Sequence, residues 1–256
     1  KNLTMADNLI RIAYLYEDLM NTYGDSGDVK ILRYFLQKKG WQTQIDNISL
    51  GSQFNAADYD FVFFGGGQDY EQSIVAKDLQ RFKETLNDYI QAGNPMLAIC
   101  GGYELMGTHY NTISGTKIKG LGILPLHTEF DPEKRMIGDT KYETEWGQTI
   151  GFENHSGQTF LREGVQPLGT VNQDGRGNNG EDHTEGARVH NVIGTYMHGS
   201  LLPKNPAISD FLIETAVTRR YGTFDTSDQT PEQAKELARL DQVATNARKA
   251  AAERPR

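Results

Sequence analysis

The chain has 256 residues, 37% of them hydrophobic and 23% charged, a length that allows one sizeable α/β domain or two small ones. Its net charge of -8 argues against a nucleic-acid-binding protein, which would usually show a basic stripe. No apolar run approaches the ~20 residues that a membrane-spanning helix needs. A single cysteine excludes an internal disulfide and a cysteine-rich zinc site, so we expect neither an oxidising compartment nor a metal site on this chain.

The first half of the chain alternates strand-like and helix-like patterns. Residues 1–8 are polar and lack the apolar stretch of a signal peptide, so we expect a loose end there. In chain order the sequence then predicts a buried strand at Leu9–Tyr16, a glycine-rich turn at Tyr23–Gly27, a helix at Asp28–Lys39, strands at Trp41–Ile48 and Phe61–Phe64, a helix at Lys77–Ala92, and a strand at Pro95–Ile99. This order favours an α/β fold with right-handed crossovers and a mostly parallel central sheet flanked by helices. Ligands of such sheets gather at the carboxyl ends of the strands.

The second half has shorter strand-like segments between polar turns, which we expect to add antiparallel strands. The predicted elements are strands at Ile123–Phe130, Met136–Tyr142, Thr149–Phe152 and Val192–Tyr196, a loop at Val171–Gly186, and a helix at Ile208–Tyr221. A last helix starts at Thr230, which can form a capping box with Gln233, and continues to about Ala251. Because its apolar face is thin, this helix is expected to be solvated or to contact another chain.

Cys100 lies where the apolar strand ends, a sharp turn follows, and a helix begins. Its small neighbours Ala98, Gly101 and Gly102 permit the strained turn of a nucleophile elbow. A helix N-terminus favours the thiolate, and the Gly101 N–H would face an oxyanion formed during attack. The alternative is a buried cysteine that only packs at the end of a strand, but packing does not require two glycines after it. The pattern therefore predicts a catalytic cysteine.

A second glycine-rich turn, Gly65–Gly67, also follows a predicted strand. Three glycines let backbone N–H groups approach a ligand closely. Taken alone, the run is equally compatible with a plain surface turn. Beside Cys100, it predicts a second oxyanion donor.

A thiol with a pKa near ~8.5 needs a base or a positive neighbour to react at neutral pH. His198 follows a short apolar strand and precedes Gly199, so it is also expected at a strand end. His155 is the alternative, and the residues by themselves leave both histidines open. The others lie in polar or turn contexts and are expected to be solvated: His109, His127, His183 and His190.

The chain carries four motifs in order: Gly65–Gly67, Ile99–Glu104, Gly151–Gly157 and Thr195–Gly199. Together they resemble the class I glutamine amidotransferases of the cobyric acid synthase (CobB/CobQ-like) type. Within that family the chain is similar to the GatD glutaminase subunits, which pair with the MurT ligase-like protein to amidate the D-glutamate of lipid II in peptidoglycan synthesis. The resemblance implies a flavodoxin-like glutamine amidotransferase domain at 9–221, followed by a linker and helix at 222–256.

The resemblance also implies roles for matching residues. Cys100 would attack the side-chain amide of L-glutamine to form a γ-glutamyl thioester, and His198 would protonate the departing ammonia. Arg135 would hold the substrate's α-carboxylate, a task that suits a guanidinium, although an exposed arginine is by default a solvated loop residue. The oxyanion would be bound by backbone N–H groups of Gly66 or Gly67, and Gly101.

The chain departs from the family pattern at two positions. Many class I enzymes carry an acid two residues after the catalytic histidine, where this chain has Ser200. The cobyric acid branch also lacks that acid, so a Cys–His dyad is implied, with no orienting acid identified. Many relatives have glutamine where this chain has Glu104, and no role is assigned to that carboxyl group.

The sequence lacks a GxxxxGK[ST] phosphate loop, although forming an amide from a carboxylate needs an activated acyl group. We therefore expect no cofactor on this chain, with ATP and a divalent metal on a MurT-like ligase partner that receives ammonia within a stable heterodimer. Residues 231–251 are the candidate contact with this partner. We expect a cytoplasmic protein, which its lipid-linked acceptor could bring to the inner face of the membrane. Two alternatives stay open: a stand-alone cysteine γ-glutamyl hydrolase on the same fold, and a non-catalytic scaffold for the ligase.

Overall fold

The computed structural model of the chain describes residues 8–224 and 229–253. Its strands are β1 (Leu9–Leu15), β2 (Gln42–Ile48), β3 (Phe61–Phe64), β4 (Met96–Ile99), β5 (His109–Asn111), β6 (Lys117–Lys119), β7 (Leu126–Phe130), β8 (Met136–Thr144), β9 (Gly147–His155), β10 (Gly157–Leu161), β11 (Gly169–Thr170), β12 (Thr184–Glu185), β13 (Ala187–Val189) and β14 (Val192–Thr195). Its α-helices are α1 (Ser26–Lys38), α2 (Asp69–Leu79), α3 (Lys83–Gln91), α4 (Gly101–Met106), α5 (Leu201–Lys204), α6 (Pro206–Tyr221) and α7 (Pro231–Glu253). The loose end predicted at residues 1–8 lies, except for Asn8, outside the described residues.

The main sheet has the strand order β13-β14-β4-β3-β1-β2, and all its neighbours are parallel except β13 and β14. β3 and β4 are buried along their whole length, as their unbroken apolar sequences require when helices cover both faces of a sheet. The predicted α/β fold with a mostly parallel sheet is confirmed.

Three segments leave this sheet at the same edge. In the register of the parallel strands, Phe64 pairs with Ala98 and Ile99 pairs with Thr195. The glycine turn after β3, Cys100 after β4, and the segment after β14 therefore begin side by side. The sheet topology thus brings together residues that are far apart in the sequence.

The predicted antiparallel strands of the second half form two further sheets, with orders β10-β7-β5-β6 and β12-β11-β8-β9. β8 and β9 make a long hairpin that pairs Met136 with His155. The predicted loop at Val171–Gly186 contains the short strand β12, which the sequence did not indicate. Asn178 stabilises this loop, because its side chain contacts Tyr103, Thr184 and Gly186.

The prediction of one helix at Lys77–Ala92 is wrong at its start. α2 already begins at Asp69, and a 3₁₀ turn at Gln80–Phe82 separates it from α3. The buried face of α2 includes Gln72, whose amide lies 3.4 Å from the Glu104 carboxylate. A polar residue on a buried face hides the helical apolar pattern, because its partner comes from elsewhere in the fold.

The last helix, α7, begins with the predicted capping box. The backbone N–H of Gln233 donates to the Thr230 hydroxyl at 3.1 Å, and the Thr230 N–H donates to the Gln233 side chain at 2.8 Å. α7 lies against its own chain, with Ala244 buried and Glu236 accepting a hydrogen bond from Tyr34 at 2.8 Å. Within the two described stretches, no helix combines the length and apolar character that crossing a membrane requires.

Candidate active site

Cys100 lies in a strained turn between β4 and α4, with φ 50° and ψ -110°. A residue other than glycine rarely adopts a positive φ, and holding it there costs about 1 to 3 kcal/mol. The surrounding backbone fixes the turn, because the Cys100 N–H donates to Thr195 O at 2.8 Å and the Gly102 N–H donates to Gly65 O at 3.1 Å. A Cβ atom on Gly102 would lie 2.6 Å from Phe64 O, so this close approach requires glycine.

The turn Gly65–Gly67 packs directly on this elbow. A Cβ atom on Gly66 would lie 3.1 Å from the Cys100 Cβ, and a Cβ atom on Gly101 would lie 3.0 Å from the Gly67 N. The backbone amides of Gly67 and Gly101 are therefore neighbours beside the thiol. Two adjacent backbone N–H groups beside a nucleophile are the components that an oxyanion hole requires.

His198 follows β14 and is fully buried. Its backbone is fixed by reciprocal hydrogen bonds with Phe152, with N···O distances of 2.7 and 3.4 Å. Its Nδ1 atom lies 3.8 Å from Oδ1 of Asp25, which is also fully buried. The imidazole is thus held at the same sheet edge as Cys100, next to a carboxylate.

Asp25 is the functional candidate that the sequence did not reveal. It lies in the loop between β1 and α1, and its Oδ2 accepts a hydrogen bond from the Gly66 N–H at 2.8 Å. One sequence feature could have indicated Asp25: it is an acidic residue in the glycine-rich turn after the first strand, and such turns lie at the sheet edge where ligands gather. The sequence gives no indication of its contact with His198, which is 173 positions later.

His155, the alternative base, is engaged by other groups. Its Nδ1 lies 2.7 Å from Gly157 O, its Nε2 lies 3.2 Å from a carboxylate oxygen of Glu153, and its ring stacks on Tyr196 at 3.6 Å between centroids. Both ring nitrogens of His155 are therefore in contact with oxygen atoms of Gly157 and Glu153.

A cavity of about 490 Å³ opens in front of Cys100 and also contacts Arg135 and His155. The Arg135 Nε and Nη2 atoms donate to Asn154 Oδ1 at 3.0 and 2.7 Å, which fixes the guanidinium at the wall of the cavity. The remaining lining residues are Thr22, Gly67, Gln68, Asp69, Tyr70, Glu71, Gln72, Glu104, Tyr110, Phe130, Asn154, Ser156 and Gly157. The cavity therefore combines a thiol, a cation and several acids in a space that fits an amino acid.

Glu104 is buried in the wall of this cavity, one helical turn after Cys100. Its carboxyl group accepts hydrogen bonds from the Tyr196 hydroxyl at 2.8 Å and the Gln72 amide at 3.4 Å. Burial raises the pKa of Glu104 to about 8, so this carboxyl group is mostly protonated at neutral pH. A neutral carboxyl group can both donate and accept a hydrogen bond, as a glutamine amide can.

Burial also raises the pKa of the Cys100 thiol well above its usual value, and negative charge on Asp25, and on Glu104 when it is ionised, adds to this effect. The Gly101 N–H opposes it. The expectation that the helix N-terminus alone favours the thiolate is therefore outweighed by burial. The thiol needs a base to take its proton when it attacks.

The described residues offer no obvious place for a metal or dinucleotide. None of the groups of His, Cys, Asp and Glu in 8–224 and 229–253 has the arrangement that could hold a metal ion. Gly175, Gly177 and Gly180 spell a G-x-G-x-x-G run, but it lies in the loop between β11 and β12 and opens no helix. It therefore lacks the strand-turn-helix context of dinucleotide binding.

Comparison with known proteins identifies the family. The profile of the CobB/CobQ-like glutamine amidotransferase domain matches residues 11–206. The chain belongs to this family. This amidotransferase is therefore a glutamine-hydrolysing enzyme, and the resemblance inferred from its four motifs is confirmed.

Two curated relatives of the amidotransferase carry the name lipid II isoglutaminyl synthase (glutamine-hydrolyzing) subunit GatD. The Streptococcus pneumoniae protein is 45% identical over 215 residues, which cover 83% of this chain and 82% of the relative. The Staphylococcus aureus protein is 39% identical over 217 residues, which cover 84% of this chain and 88% of the relative. A cobyric acid synthase of Listeria innocua is 30% identical, but the match covers only 30% of that longer protein.

Solved structures share the fold of this amidotransferase. PurLQS from Thermotoga maritima has a TM-score of 0.57 at 12% identity, covering 82% of this chain and 98% of that chain. A second structure, of a glutamine amidotransferase, has a TM-score of 0.54 at 15% identity, covering 80% and 98%. At these identities the similarity concerns the fold alone.

Proposed function

We propose that this chain hydrolyses L-glutamine through Cys100 and delivers ammonia to a separate MurT-like ligase, which amidates the D-glutamate of lipid II. The observation that supports the chemistry is a shared sheet edge, at which the strained Cys100 turn, the neighbouring amides of Gly67 and Gly101, and the His198 segment after β14 all begin. The acceptor and the partner are inferred from the two GatD relatives, whose names describe a subunit of lipid II isoglutaminyl synthase.

In the first half of the reaction His198 takes the thiol proton and the Cys100 sulfur bonds to the side-chain carbonyl carbon of glutamine. The carbonyl oxygen becomes an oxyanion that the N–H groups of Gly67 and Gly101 stabilise. Removing one oxyanion donor in a hydrolase costs roughly 10²- to 10³-fold in rate, so these amides contribute substantially. The C–N bond then breaks as His198 protonates the nitrogen, giving ammonia and a γ-glutamyl thioester.

In the second half His198 takes a proton from water, whose oxygen attacks the thioester carbon. The C–S bond breaks, the sulfur recovers the proton, and glutamate leaves. Arg135 binds the α-carboxylate throughout, because its guanidinium lies at the wall of the same cavity as the thiol. Burial keeps the resting thiol protonated, which makes the proton transfer to His198 a necessary step.

The ligase step takes place elsewhere. We infer that ATP and a divalent metal bind to the partner, because forming an amide from a carboxylate needs an activated acyl group and this sequence shows no GxxxxGK[ST] phosphate loop. We further infer a cytoplasmic heterodimer that meets lipid II at the inner face of the membrane through the ligase. The outer face of α7, where Val243 is 51% exposed, is the proposed contact with this partner.

Glutamate release from L-glutamine tests the proposal, measured for this chain alone and in complex with a candidate ATP-dependent Mur-type ligase. We expect turnover by the wild-type complex that Cys100→Ala abolishes. His198→Ala should lose at least about 10³-fold in kcat, while the matched variant His155→Ala should lose far less, since His155 contacts Glu153 and Gly157.

Other outcomes point to the two alternatives. Cleavage of γ-glutamyl peptides but not of glutamine would indicate a stand-alone hydrolase. A silent wild type that still binds the ligase tightly would indicate a scaffold. Equal activity of His198→Ala and the wild type would overturn the assignment of the base.

A further inference from the structure

Ser200 lies two residues after His198, directly before α5. Ser200 has a left-handed backbone with φ 59°, and its hydroxyl donates to Gly24 O at 3.4 Å. A Cβ atom on Gly27 would lie 2.2 Å from the Ser200 Oγ, so the serine packs tightly on the first turn of α1, where the β1–α1 loop ends. The same loop carries Asp25. The fold thus brings a carboxylate to His198 from the opposite end of the chain.

Asp25 contacts two parts of the site at once. Its Oδ2 accepts the Gly66 N–H at 2.8 Å, and its Oδ1 lies 3.8 Å from His198 Nδ1. Both Asp25 and His198 are fully buried, so solvent does not screen their interaction. Asp25 also packs under the glycine turn, since a Cβ atom on Gly65 would lie 3.3 Å from the Asp25 Cβ.

The other nearby acids are engaged differently. Asp28, one turn further along α1, accepts the Leu202 N–H at 2.9 Å. Glu104 faces Tyr196 and Gln72 in the cavity wall. Neither contact involves the imidazole or the glycine turn.

We propose that Asp25 is the positioning residue of this site, and that its single carboxylate both stabilises the His198 imidazolium and fixes the oxyanion turn through Gly66. This inference rests on the function proposed above. When His198 takes the thiol proton, the charge that forms on its ring lies beside Oδ1. At the same time Oδ2 holds Gly66, and the next amide along the turn, Gly67 N–H, stays beside Gly101. One side chain therefore couples proton transfer to oxyanion stabilisation.

Several ionisable groups lie near Asp25, and their charges also influence the pH profile of glutamate release. They are Tyr14 of β1, Asp28 of α1, Cys100 and His198. Asp28 provides the matched control. It is an equally buried acid in the same part of the chain, but its hydrogen bond serves the backbone of α5.

The test measures glutamate release by the complex with the ligase for Asp25→Asn, Asp25→Ala and Asp28→Asn. Asp25→Asn keeps an oxygen for Gly66 but removes the charge beside His198. We expect its kcat to fall by about 10²- to 10⁴-fold with KM within a few-fold, as happens when the acid partner of a catalytic histidine is made neutral. The acidic limb of the kcat/KM profile should move to lower pH, because the imidazolium loses its counter-charge.

Asp25→Ala also removes the acceptor for Gly66, so its kcat should fall further, by about another 10-fold or more. Asp28→Asn should keep kcat within a few-fold and leave the acidic limb of the kcat/KM profile unchanged. Unfolding curves identify any variant that fails to fold, and Asp25→Asn, which keeps the shape of the side chain, then carries the test.

An Asp25→Asn enzyme with wild-type kcat and pH profile would overturn this inference and leave the proposed function intact, provided that Cys100→Ala is inactive. An equal loss in Asp28→Asn would also overturn it, because the effect would then be structural. If Cys100→Ala itself releases glutamate at the wild-type rate, the proposed function fails instead.

Discussion

Glu104 allows a quantitative prediction about stability, because its carboxyl group is buried beside the reactive thiol. Its pKa is raised from 4.5 to about 8, and the main cause is burial. In the unfolded chain the same group ionises near its ordinary value, so rising pH favours the unfolded state. The contribution of Glu104 to stability is therefore complete below about pH 4.5 and is lost as the pH rises to about 8.

The magnitude follows from the shift. Each pKa unit corresponds to about 1.4 kcal/mol, so raising the pH from about 5 to about 8 should cost the folded state about 3 kcal/mol through this group alone. Glu104→Gln stays neutral at every pH and should remove that loss. The free energy of unfolding of the variant should match the wild type near pH 5 and exceed it by about 3 kcal/mol near pH 8.

Urea unfolding at several pH values measures the effect. Glu185→Gln is the matched control, because it removes a buried carboxyl group that lies outside the cavity. Burial raises the pKa of Glu185 to about 8 as well, but Glu185 contacts Thr195 and the Tyr196 N–H and does not line the cavity. Both variants should flatten the pH dependence of stability to a similar extent.

Activity should separate the two variants. Ionised Glu104 raises the pKa of the Cys100 thiol, so Glu104→Gln should retain more of its kcat above about pH 8 than the wild type does, and Glu185→Gln should not. A parallel loss of stability in Glu104→Gln and the wild type between pH 5 and pH 8 would show that burial does not raise the pKa of the Glu104 carboxyl group.

Two further predictions concern the geometry of the site. Gly102→Ala should destabilise the fold by about 1 to 3 kcal/mol, because the added Cβ would lie 2.6 Å from Phe64 O and 2.8 Å from Gly65 O. The loss would appear as a lower midpoint of urea unfolding. A midpoint equal to that of the wild type would contradict the close approach. Arg135→Lys should raise KM for glutamine about 10-fold or more with kcat nearly unchanged, because lysine cannot form the paired hydrogen bonds of a guanidinium. A change confined to kcat would instead show that Arg135 acts in the chemical step.

Much of the fold could be predicted from local sequence patterns. The apolar runs Phe61–Phe64 and Met96–Ile99 are too short for helices, and each ends in glycine or in Cys100 followed by glycine. Short buried strands followed by tight turns are typical of parallel sheets, and the turns then lie at the carboxyl edge. The positions of the glycine turn, Cys100 and His198 at one edge follow from that local information.

The start of α2 could not be predicted in the same way. Its buried face depends on Gln72, which is stabilised there by Glu104 from α4. The two-residue strands of the second half carry too few residues for any periodicity to appear. In both cases the deciding interactions come from other parts of the chain.

The sequence by itself determined the family, the sheet and the strand-end positions of Cys100 and His198, because each of these depends on patterns within a few neighbouring residues. Only the tertiary structure decided that Asp25 lies beside His198, that His155 is engaged by Glu153 and Gly157, and that Glu104 is buried enough to stay protonated. Those properties depend on which groups meet across the folded chain and on how far water is excluded from them. Neither quantity is encoded in the spacing of residues along the sequence.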